Sequence, residues 1–365
     1  MKKLNFLLAL ILIGAVCFSC KKTEQEPNIN STDRTDIQNP AMDFEKMNMR
    51  LTAHLESLRA YQEQLAQTAN SNRDCMPAVV VPVDASSIQE AIEMVCAYGE
   101  VIVQSGTYAE SIFIVDKPGI HIRAVGNVIL NGDFMLSGNA DGVIIEGFNI
   151  ILPDYEFGWD AVYLIQTSGC VIKNNIISNQ AYPGNEADDN GLFIIGDAND
   201  NQIKDNQISG MFGGISLVNP FPGATCSNNM IKGNLVSNAE RGILLLWDCD
   251  NNKIMQNQIN NSSGPVVVGI AMAGFGHLVE NNQIKLNDIF NCIMAGIYMD
   301  YACDNMIGPN NTCNYNGIYG ITLMPSSNNN SVINNEALYN AVFDIWNGGL
   351  NNTFTANTAV TTYGF

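Results

Sequence analysis

Ile203-Lys204-Asp205-Asn206, then Ile231-Lys232-Gly233-Asn234, then Ile254-Met255-Gln256-Asn257: one four-residue phrase keeps returning along this chain. An earlier copy is Ile172-Lys173-Asn174-Asn175 and a later one Val279-Glu280-Asn281-Asn282. Weaker copies end at Asn310, Asn335 and Asn357, so the phrase recurs every 22 to 31 residues. A second phrase runs in step, a small residue followed by an apolar strand, as in Gly191-Leu192-Phe193-Ile194, Gly214-Ile215-Ser216-Leu217, Gly242-Ile243-Leu244-Leu245 and Gly269-Ile270-Ala271-Met272. Two short strands per period, with no room for long helices between them, is the signature of a solenoid.

Parallel coils stack about 4.8 Å apart, so a residue type that recurs once per period becomes a column along the rod. Inward Ile and Leu build the core. Asn at a repeated bend tolerates left-handed backbone and can bond to its own kind. Three further strand pairs before Ile150 extend the stack to ten or eleven coils, a rod of roughly 50 Å at that spacing. The first coil needs a lid over its open end. Ser87-Ile88-Gln89-Glu90 reads as a helix capping box, with Ile88, Ala91, Ile92, Val95 and Cys96 on one helical face and Gly99 as the stop.

The opening Ser87-Ile88-Gln89-Glu90-Ala91-Ile92, then Gly99-Glu100-Val101-Ile102-Val103 with Gly106-Thr107-Tyr108, then Lys117-Pro118-Gly119-Ile120, resembles the start of pectin-lyase-like proteins. The Asn-rich repeats that follow are similar to the NosD and carbohydrate-binding/sugar-hydrolase branch. The resemblance covers about residues 79–360. It implies an all-β, right-handed parallel β-helix with a short N-terminal helical cap. It does not imply one activity, because the architecture hosts lyases, hydrolases, epimerases, adhesins and copper-accessory proteins.

Upstream of the repeat, Lys2 and Lys3 precede an apolar run from Leu4 to Phe18, too short for a comfortable span and suited to a signal peptide over 1–19. Ser19-Cys20 resembles a lipobox, which predicts cleavage before Cys20, lipidation of its thiol and export to the outer membrane. Residues 20–41 read as a tether. Residues 42–75 read as an amphipathic helix, with apolar residues at 44, 47, 51, 55, 58, 61 and 65. The β-helix proper is assigned to 76–365. A net charge of −19 makes nucleic acid a poor partner.

Periods longer than the minimum must extrude loops, and loops on a rigid scaffold carry function. The excess falls at 152–160 and 178–190, which hold Tyr155, Trp159 and Tyr182 beside Glu186, Asp188 and Asp189. Aromatic faces and carboxylates suit sugars. Phasing on the Gly phrase puts Asp160, Asp189, Phe212, Glu240 and Arg241 on one edge, with Tyr163 and Phe193 pointing outward beside them. Asp160 and Asp189, one coil apart, would be about 5 Å apart, as in a retaining glycosidase; Asp189 and Glu240 would be about 10 Å apart, nearer the inverting geometry. The same carboxylates, Glu186 and Asp188 foremost, could instead hold Ca²⁺. Lys173, Lys204 and Lys232 line one face, a like-charge column that Asp205 or a uronate chain would have to answer. Cys226 and Cys249 fall on adjacent coils within bridging distance, which predicts a disulfide. Met272 and Met299 stack too, but inward, which gives a copper site little support. The sequence leaves three functions open: a lipid-anchored protein that binds polysaccharide near 154–241 and cleaves or epimerises it, a non-catalytic structural or adhesive rod, and a NosD-like accessory to a metal enzyme.

Overall fold

A computed structural model describes residues 56, 60, 75–153, 160–179, 189–260 and 267–364. The signal peptide, the tether, and all of the 42–75 segment except Glu56, Ala60 and Cys75 lie outside the described residues. His54–Phe365 is one compact unit. It is a parallel β-helix of about eleven coils. Each coil has three short strands, and each strand pairs in parallel with its equivalent one coil away. The first face contains Val171–Lys173, Gln202–Lys204, Met230–Lys232 and Lys253–Met255, the second Ile176–Asn179 and Gln258–Asn260, the third Val162–Ile165, Asn190–Ile195 and Val268–Ala273. In Gln207–Val218 and Leu235–Leu246 the second and third faces are continuous.

Alternation fixes the core. On the first face Ile172, Ile203, Ile231, Ile254, Ile284 and Ile307 stand in one register column, all fully buried. On the third face Leu164, Ile194, Leu217, Leu245, Met272 and Met299 do the same, so the two methionines are core side chains, as phased.

Two buried asparagine ladders, at the corners flanking the first face, hold the coils in register. One runs Asn175, Asn206, Asn234, Asn257, Asn287, Asn311, Asn335, Asn357. The other runs Asn201, Asn229, Asn252, Asn282, Asn305, Asn330, Asn352. Each Oδ1 accepts the backbone N–H of the rung before it, and nearly every Nδ2 donates both to a carbonyl of the preceding coil and to the next rung. The residue before each rung turns the corner with positive φ, for example Asp205 at 57° and Gln256 at 57°. This corrects the sequence alignment: Val279-Glu280-Asn281-Asn282 belongs to the second ladder, the first continues through Asn287, and its next rung is Asn311, not Asn310. The two corners share the pattern apolar-x-x-Asn, five residues out of phase, and a single-phrase alignment slips from one to the other.

The glycine column has a steric cause. A Cβ on Gly214 would come within 2.4 Å of the Gly242 carbonyl oxygen, and one on Gly242 within 2.4 Å of that of Gly269. The cap helix spans Ile88–Met94, with Ser87 Oγ accepting from Glu90 N at 3.1 Å. The return arm of the expected box lands one residue early, Ser86 N donating to Glu90 Oε2 at 2.8 Å. Val95 and Cys96 lie in the strand Val95–Tyr108 rather than on the helix. Gly99 is not the helix stop; its Cα passes where a Cβ would meet the Pro77 oxygen at 2.7 Å.

The Cys226–Cys249 disulfide does not form, and both are buried thiols. Stacked residues project their Cβ atoms side by side at the coil spacing of about 4.8 Å, whereas a bridge needs about 3.8 Å. The Cys249 thiol instead donates to the Leu246 oxygen at 3.2 Å, and Asn229 Nδ2 donates to the Cys226 sulfur. The disulfide that does form joins Cys75 to Cys96, with Cα atoms 4.9 Å apart, where the register between the first two strands is irregular.

Candidate functional site

The expected site residues separate into two groups on different sides of the coil. The first group lies at the corner between the second and third faces. The register runs Asn190, Gly213, Arg241, Val268, which aligns Asp189, Phe212 and Glu240 one residue earlier. Asp160 stands in the Asn190 column, one position on from Asp189, and its Oδ1 accepts both Asn190 N at 2.9 Å and Asn190 Nδ2 at 2.7 Å. Asp189 Oδ2 accepts from Asn179 Nδ2, and Asn190 Oδ1 from Ser216 Oγ at 2.8 Å. The Arg241 guanidinium lies over the Phe212 ring, 4.7 Å from its centroid. Asp160 and Asp189 are each 2% exposed and Arg241 is 6% exposed. All of them lie at one corner, but Asp160 stacks on Asn190 and not on Asp189, and both aspartates are buried acceptors of neighbouring amides.

On the third face Tyr163 and Phe193 point outward, with ring centroids 5.3 Å apart and planes tilted by 37°. They are buried all the same. Tyr155, Trp159, Tyr182, Glu186 and Asp188 lie outside the described residues.

The second group is on the opposite, first face. Lys173, Lys204 and Lys232 pair in register, so their ammonium groups form a column, and Lys285 continues it beyond Met255. Lys253 stands in the adjacent outward row. The N-terminal end of the column is neutralised. Glu146 bonds Lys173, and also His121 Nε2 at 2.8 Å, while Arg123 bonds Glu100. Burial raises the Glu146 pKa, but the bonds from Lys173 and His121 outweigh it and hold the carboxyl below its ordinary range. Past that point Lys204 has only Gln202 Oε1 at 3.5 Å, and Lys204, Lys232, Lys253 and Lys285 have no ion pair among the described residues. Asp205 does not answer Lys204; it turns the corner with positive φ. The residues missed from sequence are Glu146, Lys253 and Lys285. The repeat register finds each of them once the ladder is correctly phased.

Comparison with known proteins places this architecture. The family described as "Periplasmic copper-binding protein (NosD)" matches residues 114–271. Among solved structures, the Dettilon tailspike protein superposes with a TM-score of 0.50 at 14% identity, over 77% of this chain and 62% of that one. The chain is a right-handed parallel β-helix. A variant of the periplasmic alginate epimerase AlgG is similar to this β-helix at 12% identity and a TM-score of 0.47, over 77% of this chain and 85% of that one. A cell surface glycoprotein of Methanothermus fervidus is 29% identical over 287 residues, 68% of this chain. The β-helix spans less than half of that relative, 46% of its length.

Among the described residues the donors do not fit copper. Met272 and Met299 are sealed in the coil interior, His277 pairs with Asp248 at 3.2 Å, and no group of three or more His, Cys, Asp or Glu that could hold a metal occurs among the described residues. Among those residues, too, no helix is long and apolar enough to cross a membrane.

Proposed function

We propose that this β-helix is exported, held at the outer membrane through Cys20, and binds an acidic polysaccharide along its first face without cleaving it. The observation that carries the reading is the lysine column. Residues 75–364 contain eight Lys and Arg: Lys117, Arg123, Lys173, Lys204, Lys232, Arg241, Lys253 and Lys285. Six of them are on the first face, on a chain whose net charge is −19. Like charges about 5 Å apart on a sheet repel one another, so an unpaired column is a standing cost that a linear polyanion would remove. A uronate chain offers repeated carboxylates on a stiff backbone, suited to a flat, rigid row of ammonium groups. The corner acids support binding rather than bond cleavage, because Asp160 and Asp189 already serve as hydrogen-bond acceptors for Asn190 and Asn179.

The test is retention of the soluble chain on immobilised polygalacturonate, alginate and neutral dextran, with and without Ca²⁺, scoring released ends together with retention. Retention on the two uronates, weakened by salt, is expected without new chain ends. Each Lys→Gln exchange at 204, 232 or 285 should weaken it by about 1 kcal/mol, roughly fivefold, as for basic residues at other anionic surfaces. Equal retention on dextran, or none on any glycan, would overturn the reading in favour of a structural rod. New ends that disappear in Asp160→Asn would restore the catalytic alternative.

A further inference from the structure

The third face changes character over its last coils. Its outward side chains there are rings. Tyr298, Thr322, Trp346 and Tyr363 follow one another in one register row, and Tyr319 and Phe343 stand in the row beside it. Four of the rings form a closed set, with centroids 6.5 Å apart for Tyr319 and Phe343, 6.1 Å for Tyr319 and Trp346, 5.8 Å for Phe343 and Tyr363, and 6.0 Å for Trp346 and Tyr363. Within each row the planes are nearly parallel, at 5° and 7°. Parallel rings in contact lie about 3.5 to 4 Å apart plane to plane, so these are slid past one another by about 5 Å and leave most of each other's faces uncovered. Tyr298, Tyr319, Phe343 and Trp346 are half-buried, and Tyr363 is exposed.

At the corner that precedes this face, Tyr315 and Tyr339 stack with centroids 5.0 Å apart, and they are 58% and 68% exposed. Both have left-handed backbone, with φ of 58° and 62°. The register places Asn291, with φ of 59°, in the same column one coil earlier. Asparagine adopts that conformation readily, whereas a tyrosine there is strained, and an exposed ring recovers little of the strain by burial. The turn itself therefore favours asparagine, and the two tyrosines point to a partner outside the fold.

The polar groups of this surface say what kind of partner. Residues 286–365 contain no Lys or Arg, and their acids are Asp288, Asp300, Asp304, Glu336 and Asp344, so a polyanion finds no counter-charge here. The hydroxyls of Tyr298, Tyr315, Tyr319, Tyr339 and Tyr363 and the Trp346 indole N–H have no hydrogen-bond partner among the described residues. Burial, and for Tyr298 also the neighbouring Asp300, raises the pKa of Tyr298 and Tyr319, which keeps both hydroxyls protonated as donors. A second copy packed on this face would have to pair six such donors or bury them unmet. A pyranose chain has hydroxyls to answer them and C–H faces to lie on the rings. We propose that the rings of residues 298–363 form a second glycan-binding surface, for an uncharged, β-1,4-linked pyranose chain. A β-1,4 chain is a flat ribbon and lies flush on rings fixed to a rigid sheet, whereas the flexible α-1,6 chain of dextran presents no run of flat faces. This inference does not rest on the lysine column of the first face, and either can fail alone.

The test is calorimetric titration of the full-length protein with cellohexaose, β-1,4-mannohexaose and xylohexaose. Binding of at least one is expected, unchanged by added salt and unchanged in Lys204→Gln/Lys232→Gln, which separates it from uronate binding on the first face. Trp346→Ala should weaken it by about tenfold with β-sheet content retained. Tyr315→Asn/Tyr339→Asn should weaken it too, while the thermal midpoint holds or rises, the opposite of what loss of a structural pair would do. Failure of all three hexasaccharides to bind, full binding by Trp346→Ala, or loss of binding in the lysine variant would overturn the proposal. So would a dimer in sedimentation that Trp346→Ala abolishes, which would give the face to a second copy.

Discussion

Replacing Asn234 with Ala removes one rung from the middle of the first ladder. Its Oδ1 accepts Asn206 N at 3.0 Å and Asn206 Nδ2 at 3.0 Å, while its Nδ2 donates to the Ile203 oxygen at 2.9 Å and to Asn257 Oδ1 at 3.0 Å. The rung is buried, so no water replaces these partners. Two donors of Asn206 and one acceptor of Ile203 are orphaned. At about 1 to 3 kcal/mol for each buried group left unpaired, and allowing for partial closure of the gap, the loss should be about 3 to 5 kcal/mol. Urea unfolding followed by circular dichroism reads it as a lower midpoint at unchanged slope. Asn234→Asp sharpens the test. A carboxylate keeps the acceptor but faces Asn257 Oδ1 with no proton, so its folded-state pKa is raised. The penalty should be full at neutral pH and shrink as pH falls toward about 4, where the acid regains a donor. A loss below about 1 kcal/mol for the alanine variant, or no pH dependence for the aspartate variant, would show that the ladders do not hold the coils together.

Gly242→Ala should be strongly destabilising, by several kcal/mol, because the new Cβ would meet the Gly269 carbonyl and Ile259 at once; thermal unfolding measures it. Burial pushes the thiols of Cys170 and Cys292 up, to about 11 and about 12, so iodoacetamide should leave them unmodified at neutral pH in the native state and alkylate them in urea. Burial also raises the Asp344 pKa, but backbone N–H groups of Thr361, Asn340 and Val360 outweigh it and hold the carboxyl low. Its contribution is therefore complete above about pH 4 and is lost as pH falls through the depressed value, and Asp344→Asn should flatten that part of the acid-unfolding profile.

What recurs once per coil was readable in the sequence. The Ile column, the glycine column and the lysine column each follow from stacking at a fixed spacing, and Asp160, Asp189 and Glu240 fall at one corner, although Asp160 stacks on Asn190 and not on Asp189. The errors share a cause. Asn282 and Asn310 were misassigned because two corners use the same residue for the same bond. Cys226 and Cys249 were rightly stacked, but stacking sets Cα distance and not the convergence of Cβ atoms. Tyr163 and Phe193 were correctly turned outward, yet their burial depends on what lies over the third face, which no repeat encodes. Cys75 lies outside the period altogether.

The ladders also bear on how such a chain can form. Almost every bond that fixes a coil reaches only to the coil beside it, at sequence separations between 22 and 31 in the first ladder. No contact in that set must wait for a distant part of the chain. A completed coil presents the next with a row of unfilled carbonyl and amide groups already in register. Growth can then proceed by addition at the open end, one coil at a time, from a first coil closed by the cap helix and the Cys75–Cys96 bridge. For a polypeptide that crosses a membrane N-terminus first, the rod can assemble in the order in which it is delivered.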